Sequence, residues 1–284
     1  MRKFFLHTYD KTKSFDLNGT RALATEPSGL GNNFQTSYKE SDKGSHLTNI
    51  KPKFDNIILK ILFNADGTDG YANYKGLVSF LAMCGMSKFV FEYDDGVTDK
   101  FCDVVLKSAQ KSEITEDGLF CEKFTFERQT YWYEQIETSF DFRANADNPT
   151  YPLTFPFCFS GTLFSNSIRI KNLFFEDAPI IVKVNGYIKN NIRVFVRSAE
   201  TNEIVSEIQL SRGNSDGETI VIDPTTKKIT ITDINGNVFN GYSLTDKTKQ
   251  SFLYLPQGEF YVGANITAND SGSIEVSIKR YLLD

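Results

Sequence analysis

Two histidines, four cysteines and 36 acidic residues are the side chains from which this chain could build chemistry. Their spacing favours no reaction. A Ser-His-Asp arrangement needs a histidine base beside its nucleophile, and only His7 and His46 are available, both in polar N-terminal surroundings without a G-x-S-x-G elbow. No phosphate-cradling loop occurs either. Cys84, Cys102, Cys121 and Cys158 form no C-x-x-C pair, and two histidines are too few to complete a zinc site with them. Cys84 and Cys158 lie in apolar runs and Cys102 and Cys121 in strand-like segments, so all four read as buried thiols rather than disulfides. Asp66-Gly67-Thr68-Asp69-Gly70 has the look of a calcium loop but lacks the glutamate that should follow, and reads as a turn. A glycosidase would need two carboxylates about 5–10 Å apart, but with 36 acidic residues such pairs arise by chance. The cluster Tyr131-Trp132-Tyr133 could stack on a sugar, or be an aromatic strand packed inside the fold, which is the favoured reading. The chain is read as no enzyme, with no cofactor and no metal site.

The elements that would position these side chains are mostly strands. Phe (25) and Tyr (13) far outnumber Trp (1), a usage that favours sheets. Ile220 and Ile222, then Ile229 and Ile231, alternate with polar neighbours, as a strand with one wet face requires. Asp223-Pro224 stops the first of these strands, and Asn235-Gly236 predicts a type I′ turn. Leu253, Leu255 and Phe260, Val262 flank Pro256-Gln257-Gly258, so 219–264 reads as two hairpins of a sandwich. Further strands are expected at 167–174, 180–184, 192–197, 204–210 and 273–282. In the first half, residues 1–24 suggest a hairpin turning near Asp10-Lys11, and 54–63 a buried strand. Tyr74, Leu77, Val78 and Leu81 give an amphipathic helix over about 71–86. Strands follow from Phe89, from Phe101 and from Phe120, with Asp94-Asp95-Gly96 turning between the first two. Residues 27–49 are polar with scattered Leu30, Phe34, Tyr38 and Leu47, and read as a long loop, either free at the surface or a partner contact.

The length of 284 residues allows two cores. The polar, proline-bounded stretch 143–149 (RANADNP) marks a junction between domains 1–145 and 146–284. A net charge of −5 argues against specific nucleic-acid binding, which needs a basic stripe. No signal peptide is expected after MRKFFLHTYDKTK, and no apolar run of about 18 residues is present to span a membrane.

The order of the helix at 71–86, then FVFEYDDG, FCDVVLKSAQKSEI and FCEKFTFERQTYWY, resembles the N-terminal belt domain of siphophage distal tail proteins. The junction YPLTFPFCF, the hairpin DGETIVIDPTTKKITI and the segment FLYLPQGEFYVGA are similar to that family's C-terminal galectin-like domain. The resemblance implies a mainly β chain, with an α+β first domain of one helix on a sheet or split barrel and a galectin-like antiparallel sandwich. It implies a structural hub of the phage or prophage tail tip, assembled in the bacterial host cytoplasm. Its partners would be itself, as a ring usually of six, the tail tube protein and the baseplate hub protein, with a receptor-binding protein as a candidate fourth. Residues 160–284 leave little room for the inserted arm by which some members grip receptor-binding proteins. Leu30, Phe34 and Tyr38, apolar side chains on a long polar stretch, are the candidate subunit-interface residues. The alternative is a carbohydrate-binding sandwich module or adhesin using Trp132 and exposed tyrosines.

The junction is testable by limited digestion. Trypsin should cut first between Arg143 and Thr150 and give two fragments of about 16 kDa. Cleavage inside both halves while Arg143 resists would remove the boundary.

Overall fold

The computed structural model describes residues 2–64, 69–86, 88–115, 118–141, 166–265 and 270–282. Contacts divide the chain into two compact units, one of residues 1–134 with 282–284 and one of residues 135–281. The expected junction at 143–149 lies outside the described residues, as do Cys158 and most of the Asp66–Gly70 turn.

The first unit is built from β1 (Lys3–Thr8), β2 (Ser14–Asp16), β3 (Asn18–Gly19), β4 (Ala22–Ser28), β5 (Asn33–Ser41), β6 (Gly44–Lys53), β7 (Asn56–Leu62), α1 (Gly70–Met83), β8 (Phe89–Asp94), β9 (Asp99–Ala109) and β10 (Cys121–Arg128). Its sheet is antiparallel, in the order β2-β1-β8-β9-β10-β7-β4-β3. Leu17 draws the two ends together: its N–H donates to the Phe4 carbonyl and its carbonyl accepts from Ala24. The sheet therefore curls into a split barrel. Alternation along β7 and β10 sends Ile57, Leu59, Ile61, Phe124 and Phe126 inward, and Leu77, Phe80 and Leu81 of α1 join that core.

Helix α1 starts where Asp69 accepts the N–H groups of Tyr71 and Ala72. It stops at Met83, three residues before the expected end. Gly85 turns left-handed at φ +65°, its N–H returning to Ala82 and that of Met86 to Leu81. These two bonds satisfy the last carbonyls and close the helix in a Schellman motif.

The second unit holds β11 (Tyr133–Asp141), β12 (Asn166–Asn172), β13 (Ala178–Asn185), β14 (Arg193–Ser198), β15 (Ile204–Gln209), β16 (Thr219–Asp223), β17 (Lys228–Thr232), β18 (Val238–Asn240), β19 (Leu253–Leu255), β20 (Gly258–Ala264) and β21 (Ser273–Tyr281). One sheet runs β18-β17-β16-β13-β21-β11, with β19 also on β13, and the other runs β12-β20-β14-β15. Their inner faces meet in a core dominated by Ile, Val and Leu, the arrangement of a sandwich.

Two expectations for this unit are corrected. β19 and β20 are no hairpin: β19 pairs with β13 in one sheet and β20 with β12 and β14 in the other. Leu253, Leu255, Phe260 and Val262 are buried in one core because the chain crosses it between them. The turn at Asn235-Gly236 is not type I′, since only Gly236 has positive φ there. Asp233 organises it instead, accepting the N–H groups of Asn235 and Asn237 at 2.9 and 2.8 Å.

The β8–β9 turn carries a pH signature. Asp95 pairs with Lys100 at 2.9 Å and accepts the Thr98 and Val97 N–H groups, which holds its carboxyl at about 2 against an ordinary 3.8. A depressed carboxyl contributes stability that is present above 3.8 and is lost as pH falls toward 2. Asp99 is shifted the other way, by burial and then by the charges of Glu92, Asp94 and Asp95. A carboxyl NMR titration should place Asp95 near 2 and Asp99 above 3.8. An Asp95 midpoint at 3.8 would mean the turn is not formed as described.

Candidate functional site

Residues 27–49, expected as a loop, contain most of a β-hairpin. β5 and β6 pair over their full length, from Asn33 opposite Lys53 to Ser41 opposite Gly44. Two features hid it. A bulge after Ser37 leaves Thr48 without a partner in the ladder, which breaks the two-residue period on the return strand. The strands are also exposed at every position described, so there is no buried run to betray them. Thr48 Oγ1 donates to the Ser37 carbonyl at 2.9 Å and holds the bulge.

Because cross-strand partners share a face, the hairpin has two sides. One carries Phe34, Thr36 and Tyr38, with Ile50 opposite Thr36 and Leu47 opposite Tyr38. The other carries Gln35, Ser37 and Lys39 opposite Lys51, Asn49 and His46. Phe34, Tyr38, Leu47 and Ile50 are 39, 59, 49 and 52% exposed. An isolated two-stranded hairpin is marginal in water, and this one presents an apolar face that the first unit's core does not cover.

Its root, by contrast, is tied down. At Gly29 (φ +77°) a Cβ would sit 2.0 Å from the Asn56 carbonyl oxygen, so only glycine lets the strand pass. Leu30 packs against the core, and its carbonyl accepts the indole N–H of Trp132 at 2.6 Å. Asn32 Oδ1 accepts from Arg128 at 3.0 Å, while its amide donates to the Leu282 carbonyl. Asn33 donates to Asp55, just beyond the end of the return strand, and the Phe54 ring meets Tyr131 edge-on, centroids 5.1 Å apart. Of the three residues singled out in the sequence, Leu30 thus belongs to the root, and Phe34 and Tyr38 to the exposed face. Leu47 and Ile50 complete that face; the hydrophobic spacing could have found them only if the bulge were known.

The reactive side chains are dispersed. His7 Nε2 lies 2.5 Å from Glu92 Oε2, and His46 stands on the polar face of the hairpin. Cys84, Cys102 and Cys121 are free thiols. Cys102 is buried as expected, but Cys84 and Cys121 are only partly so, because each lies at the margin of its element. Burial pushes all three thiols up, away from reactivity. Among the described residues no three His, Cys, Asp or Glu side chains gather to hold a metal. Trp132 is 1% exposed and packs on Phe91 and Tyr93, so it offers no flat surface to a sugar.

The sequence comparison covers this barrel with its helix and hairpin. Residues 3–129 match the family described as distal tail protein, N-terminal domain. The first unit is a distal tail protein N-terminal domain. The chain has a structural role in the distal tail of a phage virion. The fold of the full chain is shared with solved structures. A chain of the phage P2 baseplate in its activated conformation with calcium matches 100% of this one and 99% of its own length, at 17% identity and a TM-score of 0.69. The crystal structure of the Dit protein of phage SPP1, titled a paradigm of the hub adsorption apparatus in phages infecting Gram-positive bacteria, matches 98% of this chain and 99% of its own length, at 13% identity and a TM-score of 0.56. No curated protein matches the chain in sequence.

The Trp132 hydrogen bond should be measurable. Trp132→Phe keeps a buried ring but removes the donor, leaving the Leu30 carbonyl unpaired at a cost of about 1–3 kcal/mol. Urea unfolding followed by circular dichroism should show that loss. A loss below about 0.5 kcal/mol would mean that the hairpin root does not depend on this bond.

Proposed function

We propose that this distal tail component assembles into a closed ring, of six copies as in the family resemblance, through the apolar face of the β5–β6 hairpin docking on the next copy. The observation that carries the reading is that face: Phe34, Tyr38, Leu47 and Ile50 exposed together on an element fastened at its root. Large apolar side chains held in one direction on a projecting hairpin are what a buried interface core uses. A contact in which a hairpin meets a different surface of its neighbour is head-to-tail, and such contacts must close into a ring or run on as a filament. Closure suits a hub joining the tail tube protein on one side to the baseplate hub protein on the other, with a receptor-binding protein as the further partner. In this reading domains 1–145 and 146–284 are the ring-forming and sandwich domains. The chain does no chemistry and takes no cofactor. A sugar-binding role is the weaker reading, since residues 153–284 contain neither Trp nor His and Trp132 is enclosed.

Replacing Phe34 and Tyr38 together by Ser tests this. Both side chains are well exposed, so the melting temperature should stay within a few degrees of wild type. Sedimentation of the full chain should show self-association weakened by roughly ten- to a hundred-fold, the effect of removing two anchors of an interface. A double variant that associates like wild type would overturn the hairpin as the ring contact.

A further inference from the structure

Arg128 ends β10 with its side chain 98% buried, an unusual place for a guanidinium. Nη2 donates to Asn32. Nε and Nη1 find no acceptor among the described residues. The group lies against aromatic rings instead, its central carbon 5.4 Å from the Phe54 ring centre and 5.8 Å from that of Trp132. Burial pushes its pKa down, with Cys102 and Asp55 pulling it back up. A buried cation with two unspent donors is costly, and natural folds rarely keep one without an acceptor.

Arg128 also lines an open pocket of about 730 Å³ at the foot of the hairpin, with Lys53, Phe54, Asp55, Lys107 and Glu127. The pocket's own carboxylates are engaged elsewhere. Glu127 pairs with Lys107 at 3.7 Å and accepts from Gln129, and Asp55 accepts from Asn33. Phe54, the ring that covers the guanidinium, is the first residue after the hairpin's return strand. Phe54 thus connects the hairpin's return strand to the buried cation.

We infer that this pocket is a carboxylate receptor, in which Arg128 accepts an aspartate or glutamate side chain from a neighbouring copy of this chain when the hairpin docks. The inference rests on the ring reading above and adds the polar anchor that its apolar face lacks. Arginine suits the task because its planar fork remains charged when enclosed and can grip a carboxylate while lying against rings. A fully desolvated pair at the root would fix the direction of the hairpin, where an apolar stripe alone leaves the contact free to slide.

The test uses the full chain with Arg128→Met, Arg128→Lys and the Phe34→Ser/Tyr38→Ser double variant, each followed by sedimentation, melting and the emission of Trp132. Trp132 is the only tryptophan in the sequence and lies against the guanidinium, so its emission reports the pocket directly. Arg128→Met should fold and melt within a few degrees of wild type, because loss of the Asn32 bond and removal of a costly buried charge oppose each other, yet associate roughly ten-fold or more weakly. Wild-type emission should shift on association, and that shift should be absent in Arg128→Met. Arg128→Lys, which keeps the charge but not the planar stack, should recover part of the association. If it behaves like Arg128→Met, the side chain acts only by stacking and the receptor is overturned. Arg128→Met associating like wild type while the double variant does not would overturn the receptor and leave the hairpin contact standing. A wild-type chain that never associates would overturn both.

Discussion

The indole N–H of Trp132 lies inside an aromatic core and must find an acceptor there, because an unpaired buried donor is costly. It takes the Leu30 carbonyl, and the placing of the hairpin follows. The chain leaving β4 is pinned at Leu30, passes Asn56 closely enough that only Gly29 fits, and is held again where Arg128 meets Asn32. Strands that would be marginal by themselves are thus fastened at their base to the split barrel. That constraint separates an apolar face held in one direction from a few apolar residues on a loose segment.

The two units fill their interiors differently. The barrel core is rich in phenylalanine, with Phe63, Phe91, Phe120, Phe124 and Phe126 in contact through tilted and stacked rings. The sandwich core is nearly all Ile, Val and Leu, with Phe140 and Phe260 as its aromatic members. Two facing sheets about 10 Å apart are filled by interdigitating branched side chains, whereas the curl of a small barrel must be filled from its middle and from the helix across it, which long flat rings do well. Carboxylates are spent on turns in both units. Asp69 caps the helix and Asp95, Asp223, Asp233 and Asp246 each bind backbone N–H groups of their own turn. These acidic groups serve as local fasteners, and burial raises the thiols. That agrees with a structural place in a phage tail.

The mainly β architecture was legible in the residues because its strands are half-buried: Ile220, Ile222, Ile229 and Ile231 alternate in the sequence and face one core in the fold. The helix was legible from Leu77 and Leu81, one turn apart on the buried face. What sequence alone determined was therefore each element whose burial imposes a period. Three features needed the tertiary structure. The hairpin at 33–53 has no buried face, so no period is imposed, and a bulge disrupts what alternation remains. The partners of β19 and β20 lie in opposite sheets, because identical inward alternation serves a hairpin and a crossing equally well. The enclosure of Trp132 and Arg128 depends on Leu30, Asn32 and Phe54, some 75 to 100 positions away along the chain. Local spacing encodes which way a side chain points; which distant group it meets is set only when the sheet closes.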